Sequence, residues 1–149
     1  MSALNLRPNN DVLYASKWQE IYVLTRHWQS DVEFFARELN FLQRLISKYF
    51  IWLKTDAHIV FAEKLQGGLK DLFEIRKTLE KNINIHLHHI SALMENAFIY
   101  DEHTFKDEHA ILEEQLADFT KAFKALKMEI FKFTEEALGK ENLEHLMEK

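Results

Sequence analysis

Three ladders of apolar residues, stepped alternately by four and by three, run through most of this chain and constrain its fold more than any other feature. The first climbs through Tyr14, Trp18, Ile21, Thr25, Trp28, Val32, Phe35, Leu39, Leu42, Ile46, Tyr49 and Leu53. The second takes Leu65, Leu69, Leu72, Arg76, Leu79, Ile83, His86, Ile90, Leu93 and Ala97. The third takes Phe105, His109, Leu112, Leu116, Phe119, Phe123, Leu126, Ile130, Phe133 and Ala137. Steps of three and four keep one stripe of an α-helix turned toward a neighbour, so each ladder predicts a long amphipathic helix with a buried seam. Only three glycines and one proline are available for turns, which argues against a sheet-rich fold. The expectation is an all-α fold: an antiparallel bundle of three long helices forming one domain over residues 1–149.

Local signals set the expected boundaries. Pro8-Asn9-Asn10-Asp11 ends a short lead, with Asn10 or Asp11 as a helix cap. Ile21, Tyr22, Val23 and Thr25 are weaker helix formers, and Thr25 and Ser30 are both N-cap types, Ser30 with Glu33 in capping-box spacing. Residues 11–24 therefore either extend the first helix or fold as a fourth, short one. Thr55-Asp56 is the turn and N-cap signal for the second helix. Gly67-Gly68 interrupts that helix at a cost of roughly 2 kcal/mol against two alanines, so a kink or break is the alternative to a continuous rod. The third helix is expected to start near Asp101-Glu102-His103 and to end at Leu138, with Gly139 in the left-handed cap position. Leu143, Leu146 and Met147 give the tail a further amphipathic turn.

Charge and composition remove several classes of function. The net charge of −5 is spread without a basic run, so there is no electrostatic footprint for nucleic acid. No apolar stretch approaches the length of a membrane span, and MSALNLRPNN lacks the basic and apolar regions of a signal peptide, so the expected location is the cytoplasm. With no cysteine there are no thiolate ligands, disulfides or Cys nucleophile. A Gly-rich phosphate loop, a nucleophile elbow and an HExxH motif are all missing, and the reading leans away from an enzyme.

The functional hint is that imidazoles hold core slots. With turns placed near residues 55 and 100, equal heights on neighbouring helices have numbers summing to about 110 and about 200 respectively. On that count His86 stands level with residues 24 and 114, and His109 with residues 19 and 91. Glu20, His27, His86, His89, His109 and Glu113 then gather toward one end of the bundle. Glu113 lies one turn from His109 on the same face. His86, His89, His109 and Glu113 are the candidate metal ligands; nitrogen and oxygen donors of this kind suit non-haem iron, manganese or zinc. The competing reading is that a core histidine is a hydrogen-bonded filler. Arg76 also holds a core slot, and the count puts it about one turn from Glu38, which predicts an ion pair between them. His58 and His88 lie off the ladder and are expected to face solvent.

Phe34, Phe41 and Trp52 form a second apolar stripe beside the first ladder, with Phe61, Phe73, Phe98, Phe131 and Phe133 adding more. A three-helix monomer does not readily bury several faces of one helix. Either a fourth helix covers this surface or a second copy of the chain does, and self-association is the expectation.

The window Lys106-Asp107-Glu108-His109-Ala110-Ile111-Leu112-Glu113 resembles the Glu-His helix of hemerythrin-like, cation-binding four-helix proteins. The run from His88 to Phe98 is loosely similar to that family's His/Glu helix. The resemblance implies a non-haem di-iron centre that handles oxygen, with His109 and His89 as ligands and Glu95 as a carboxylate. It covers two helical windows. Leu93 stands four residues after His89 where the family has Glu, and Glu38 to Gln43 offers no first-helix histidine. The whole chain is also similar to small bacterial helical-bundle proteins, which implies no activity. Two functions follow: a non-enzymatic bundle working through protein contacts as a homo-oligomer, and a metal-binding or oxygen-sensing bundle.

Overall fold

The computed structural model describes the backbone of residues 8–95 and 102–147, and the side chains of residues 17–95, 102–137 and Gly139. Three helices make up the order: α1 (Pro8–Phe50), α2 (Asp56–Glu95) and α3 (Glu102–Met147). No strand occurs among the described residues. None of the three helices is long and apolar enough to cross a membrane.

The ladders are the buried seams. Among described positions, Trp18, Thr25, Trp28, Val32, Leu39, Leu42 and Ile46 of α1 are buried, as are Leu65, Leu69, Leu72, Arg76, Leu79, Ile83, His86, Ile90 and Leu93 of α2. On α3 the seam runs from Phe105 through Leu112, Leu116, Phe119, Phe123 and Ile130 to Ala137. Ala97 and the side chain of Tyr14 lie outside the described residues.

The helix ends partly follow the local signals. Thr55 caps α2: its Oγ1 accepts from His58 N at 3.1 Å and its carbonyl from Ile59 N at 3.1 Å. α1 closes in a tight turn, with Trp52 N donating to Tyr49 O and Leu53 N to Phe50 O. α1 starts at Pro8, so Asn10 and Asp11 are helical residues rather than caps; proline suits a first turn because its missing N–H has no helical partner there.

Two interruptions that the sequence left open, and one that it predicts, do not occur. No fourth short helix forms from residues 11–24, because α1 is continuous through Thr25. Thr25 is fully buried, and its hydroxyl donates to Ile21 O at 2.8 Å, one turn back along the same helix. Its polar group is satisfied within the helix, so a cap is not needed. α2 also runs unbroken through Gly67-Gly68. Flanking Leu65, Leu69 and Leu72 are buried, and burying one such side chain stabilises by about 1.5–3 kcal/mol. Withdrawing a single one of them would cost as much as the glycine pair does. Finally, α3 passes through Gly139 to Met147, and no described glycine has a positive φ, so Gly139 is not a left-handed cap.

The chain divides into two compact units, residues 1–33 with 78–116, and residues 34–77 with 117–149. In the first, Trp18, Ile90, Leu93 and Phe105 form a buried cluster with Ile21, Tyr22 and Leu87 against it. The Trp18 and Phe105 rings meet edge to face at 5.1 Å. In the second, Phe35 packs on Phe119 at 5.1 Å and on Phe123 at 4.9 Å. There Gly68 lets α2 approach Leu126 closely, since a Cβ at that position would stand 3.3 Å from Leu126 Cδ1. Glu38 accepts from Lys127 Nζ at 2.8 Å, a partner on α3 that the height count did not consider.

Candidate metal centre

The chemistry-bearing side chains of the first unit meet where α2 presents residues 86 and 89 to residues 108 and 109 of α3. His86 is a seam residue and is fully buried. His89, three residues on, stands on the flank of the same seam and is 27% exposed; Glu108, beside seam residue His109, is 29% exposed. One carboxylate oxygen serves both imidazoles of α2. Glu108 Oε1 lies 2.5 Å from His86 Nδ1 and 2.8 Å from His89 Nδ1. Since an ionised carboxylate only accepts, both Nδ1 atoms donate to it.

The second nitrogen of His86 is engaged as well. Its Nε2 lies 2.9 Å from His109 Nδ1. Aromatic rings hold both imidazoles in place: His86 is stacked on Phe105 at 4.2 Å and 4°, and His109 on Trp28 at 4.6 Å and 21°.

Electrostatics follow from burial and from this pairing. Burial pushes the His86 imidazole below its ordinary value despite the raising influence of Glu108. His109 is also lowered, first by burial and then by the neighbouring His86, with Glu113 acting in the opposite direction. Burial works to raise Glu108, but the hydrogen bonds from His86 and His89 outweigh it and hold the carboxyl below its usual range. These shifts favour the neutral form of His86 and His109 and the ionised form of Glu108, and a cation needs ligands in those forms.

Among the described residues, His86, His89 and Glu108 form a group whose ligand atoms lie within 4.8 Å of one another. Donors about 2.0–2.2 Å from one ion are about 2.9–3.5 Å apart, so these side chains would separate by roughly half an ångström to hold one. Two imidazoles and a carboxylate are donors of the kind a divalent transition metal takes, once that separation is made. A cleft of about 370 Å³, lined by Asn82, Ile85, Thr104, Asp107, Glu108 and Ile111 among others, reaches the carboxylate from outside. Asp107 at its wall adds a second carboxylate to that of Glu108, which favours entry of a cation over an anion.

Of the residues expected to gather here, His86, His89 and His109 do so. Glu113 is exposed and acts on His109 only as a nearby charge. Glu20 and His27 are exposed on α1, and His88 is exposed on α2 as expected. His58 is partly buried, its ring edge-on to Phe133 at 5.8 Å. Glu108 is the residue that the height count missed. His86 meets Glu108 and His109, five to six residues nearer the start of α3 than the counted height of 114. The signal was present: Glu108 adjoins the seam histidine on the flank that meets His89.

Comparison with known proteins adds no assignment: no family model, no curated protein and no solved structure matches this chain, and the hemerythrin-like resemblance rests on its two helical windows alone.

Proposed function

We propose that this protein binds a divalent transition-metal ion through His86, His89 and Glu108, in a bundle whose successive helices alternate in direction. The alternation is supported by the pairs His86–His109 and His89–Glu108, in which the later α2 residue meets the earlier α3 residue. The observation that carries the metal reading is the convergence of two Nδ1 atoms on one carboxylate oxygen, at 2.5 and 2.8 Å. Two imidazoles and one carboxylate suit Fe²⁺, Mn²⁺ or Zn²⁺. Three protein ligands leave open positions, and an ion so held supplies Lewis-acid chemistry or a site for a small exogenous ligand. His86 contributes a rigid donor, buried and stacked on Phe105, while His89 and Glu108 keep the edge that adjoins solvent.

The test is metal analysis and calorimetry on the full chain, purified without chelators and then titrated with Zn²⁺, Mn²⁺ or, anaerobically, Fe²⁺. Roughly one equivalent is expected for at least one ion, with binding lost in His89→Ala and Glu108→Ala. Trace occupancy together with a flat titration for all three ions would refute the reading.

A second reading, self-association, is supported by the exposed stripe on α1. Phe34 and Phe41 lie seven residues apart on one helix face and are 53% and 49% exposed. Exposed aromatic side chains sharing one helix face are a feature of contact sites. Light scattering over a wide concentration range should show a species larger than 17.8 kDa, and Phe34→Ser with Phe41→Ser should return it to monomer. A monomer at every concentration would sink this reading.

A further inference from the structure

We infer that His109 is a positioning residue for the metal site, dictating which nitrogen His86 presents, so that ion binding reverses the tautomers of both rings. The inference rests on the metal reading above.

Its basis is that both nitrogens of a fully buried ring are committed at once. His86 Nδ1 faces Glu108 at 2.5 Å and Nε2 faces His109 Nδ1 at 2.9 Å. Parallel stacking on Phe105 at 4.2 Å leaves no room for the ring to turn over. A neutral imidazole carries one N–H. In the ion-free protein the carboxylate requires that proton on His86 Nδ1. His86 Nε2 is then an acceptor, and His109 Nδ1–H donates to it.

With a cation beside Glu108, His86 Nδ1 must offer a lone pair, so its proton leaves to solvent. The ring stays neutral and protonated only if Nε2 gains a proton, and the nearest one is on His109 Nδ1. That proton crosses the 2.9 Å bond, reversing its direction, and His109 takes one from solvent at its own Nε2. The pair holds two N–H protons before and two after, and no charge is created in the buried layer. His86 is fully buried with both ring nitrogens engaged, so an exchange that leaves both rings neutral is the route the geometry permits. Stacking on Trp28 holds His109 in the position the exchange needs. A hydrogen-bond acceptor behind a ligating imidazole fixes its tautomer and strengthens it as a donor.

The experiment uses the ¹⁵N-labelled full chain with Zn²⁺ as a diamagnetic probe, reading histidine tautomers from long-range ¹H–¹⁵N correlation spectra. Without Zn²⁺, His86 and His109 should both show Nδ1–H; with Zn²⁺, both should show Nε2–H. In parallel, His109→Phe keeps a ring on Trp28 but removes the acceptor and should weaken Zn²⁺ binding about 10–100-fold. His109→Gln restores an acceptor and should recover most of that loss. Zn²⁺ uptake with unchanged tautomers, or equal affinity in wild type and His109→Phe, overturns the inference while leaving the metal reading intact. If wild type takes up no Zn²⁺, the inference falls, and the metal reading falls with it if Mn²⁺ and Fe²⁺ give flat titrations as well. Should His109→Phe fail to fold by circular dichroism, the wild-type tautomers decide alone.

Discussion

Gly67 and Gly68 are neighbours in the interior of α2, yet replacing each by alanine should have different consequences. Both have backbone φ outside the left-handed region, so neither needs glycine for its conformation. An interior helical glycine costs about 1 kcal/mol relative to alanine. At Gly67 an added Cβ meets nothing within 4 Å, and Gly67→Ala should gain that full amount. At Gly68 the new Cβ would stand 3.3 and 3.4 Å from the two methyls of Leu126. Leu126 must then give by a few tenths of an ångström, and moving it off its rotamer costs about 0.5–1.5 kcal/mol. The helical gain and the packing loss nearly cancel, leaving Gly68→Ala close to neutral. In a Leu126→Ala background the obstruction is gone, and Gly68→Ala should recover about 1 kcal/mol, a coupling of similar size between the two positions. Urea unfolding followed by circular dichroism gives these differences directly, and in a chain of this size 1 kcal/mol corresponds to about 2–4 °C in Tm. Equal stabilisation by both single alanines, or a loss of stability in Gly67→Ala, would refute the placement of α2 against α3 at this point.

Other consequences concern protonation, pairing and helix continuity. In the presence of chelator, stability should fall as pH drops from about 7 toward 5: unfolded histidines bind protons near 6.5, while His86 and His109, held below that, resist them, so the unfolded state gains. A further loss is expected below about 4.5 as Glu108, depressed in the folded state, is finally protonated; urea midpoints flat or rising with acidification would contradict both shifts. The Glu38–Lys127 pair is partly exposed, at 24% and 34%, so a Glu38→Gln/Lys127→Met cycle should yield a coupling of only about 0.5–1 kcal/mol that shrinks in high salt. Thr25→Val should change stability by less than about 0.5 kcal/mol, because the hydroxyl only back-bonds within a continuous helix; a loss of ~1–2 kcal/mol would instead indicate a cap.

What was readable without coordinates was the periodic part. Seam positions from Trp18 to Ala137 follow from steps of three and four, because a helical period maps sequence spacing onto one face whatever the neighbours are. The Thr55 cap was equally local, a side chain satisfying the backbone amide three residues away. Helix continuity at Thr25 and Gly67-Gly68 was not, since local propensities of about 1 kcal/mol yield to burial of the leucines and tryptophans on either side. The site divides along the same line. That His86 would be buried was legible from its slot, but the choice of Glu108 over Glu113 depended on the height at which α2 meets α3. That height is set by the turn and by side-chain interdigitation between helices, and an error of one residue there shifts the partner by two. The chain's own periodicity determined which faces are hidden; only packing between helices decided which imidazole faces which carboxylate.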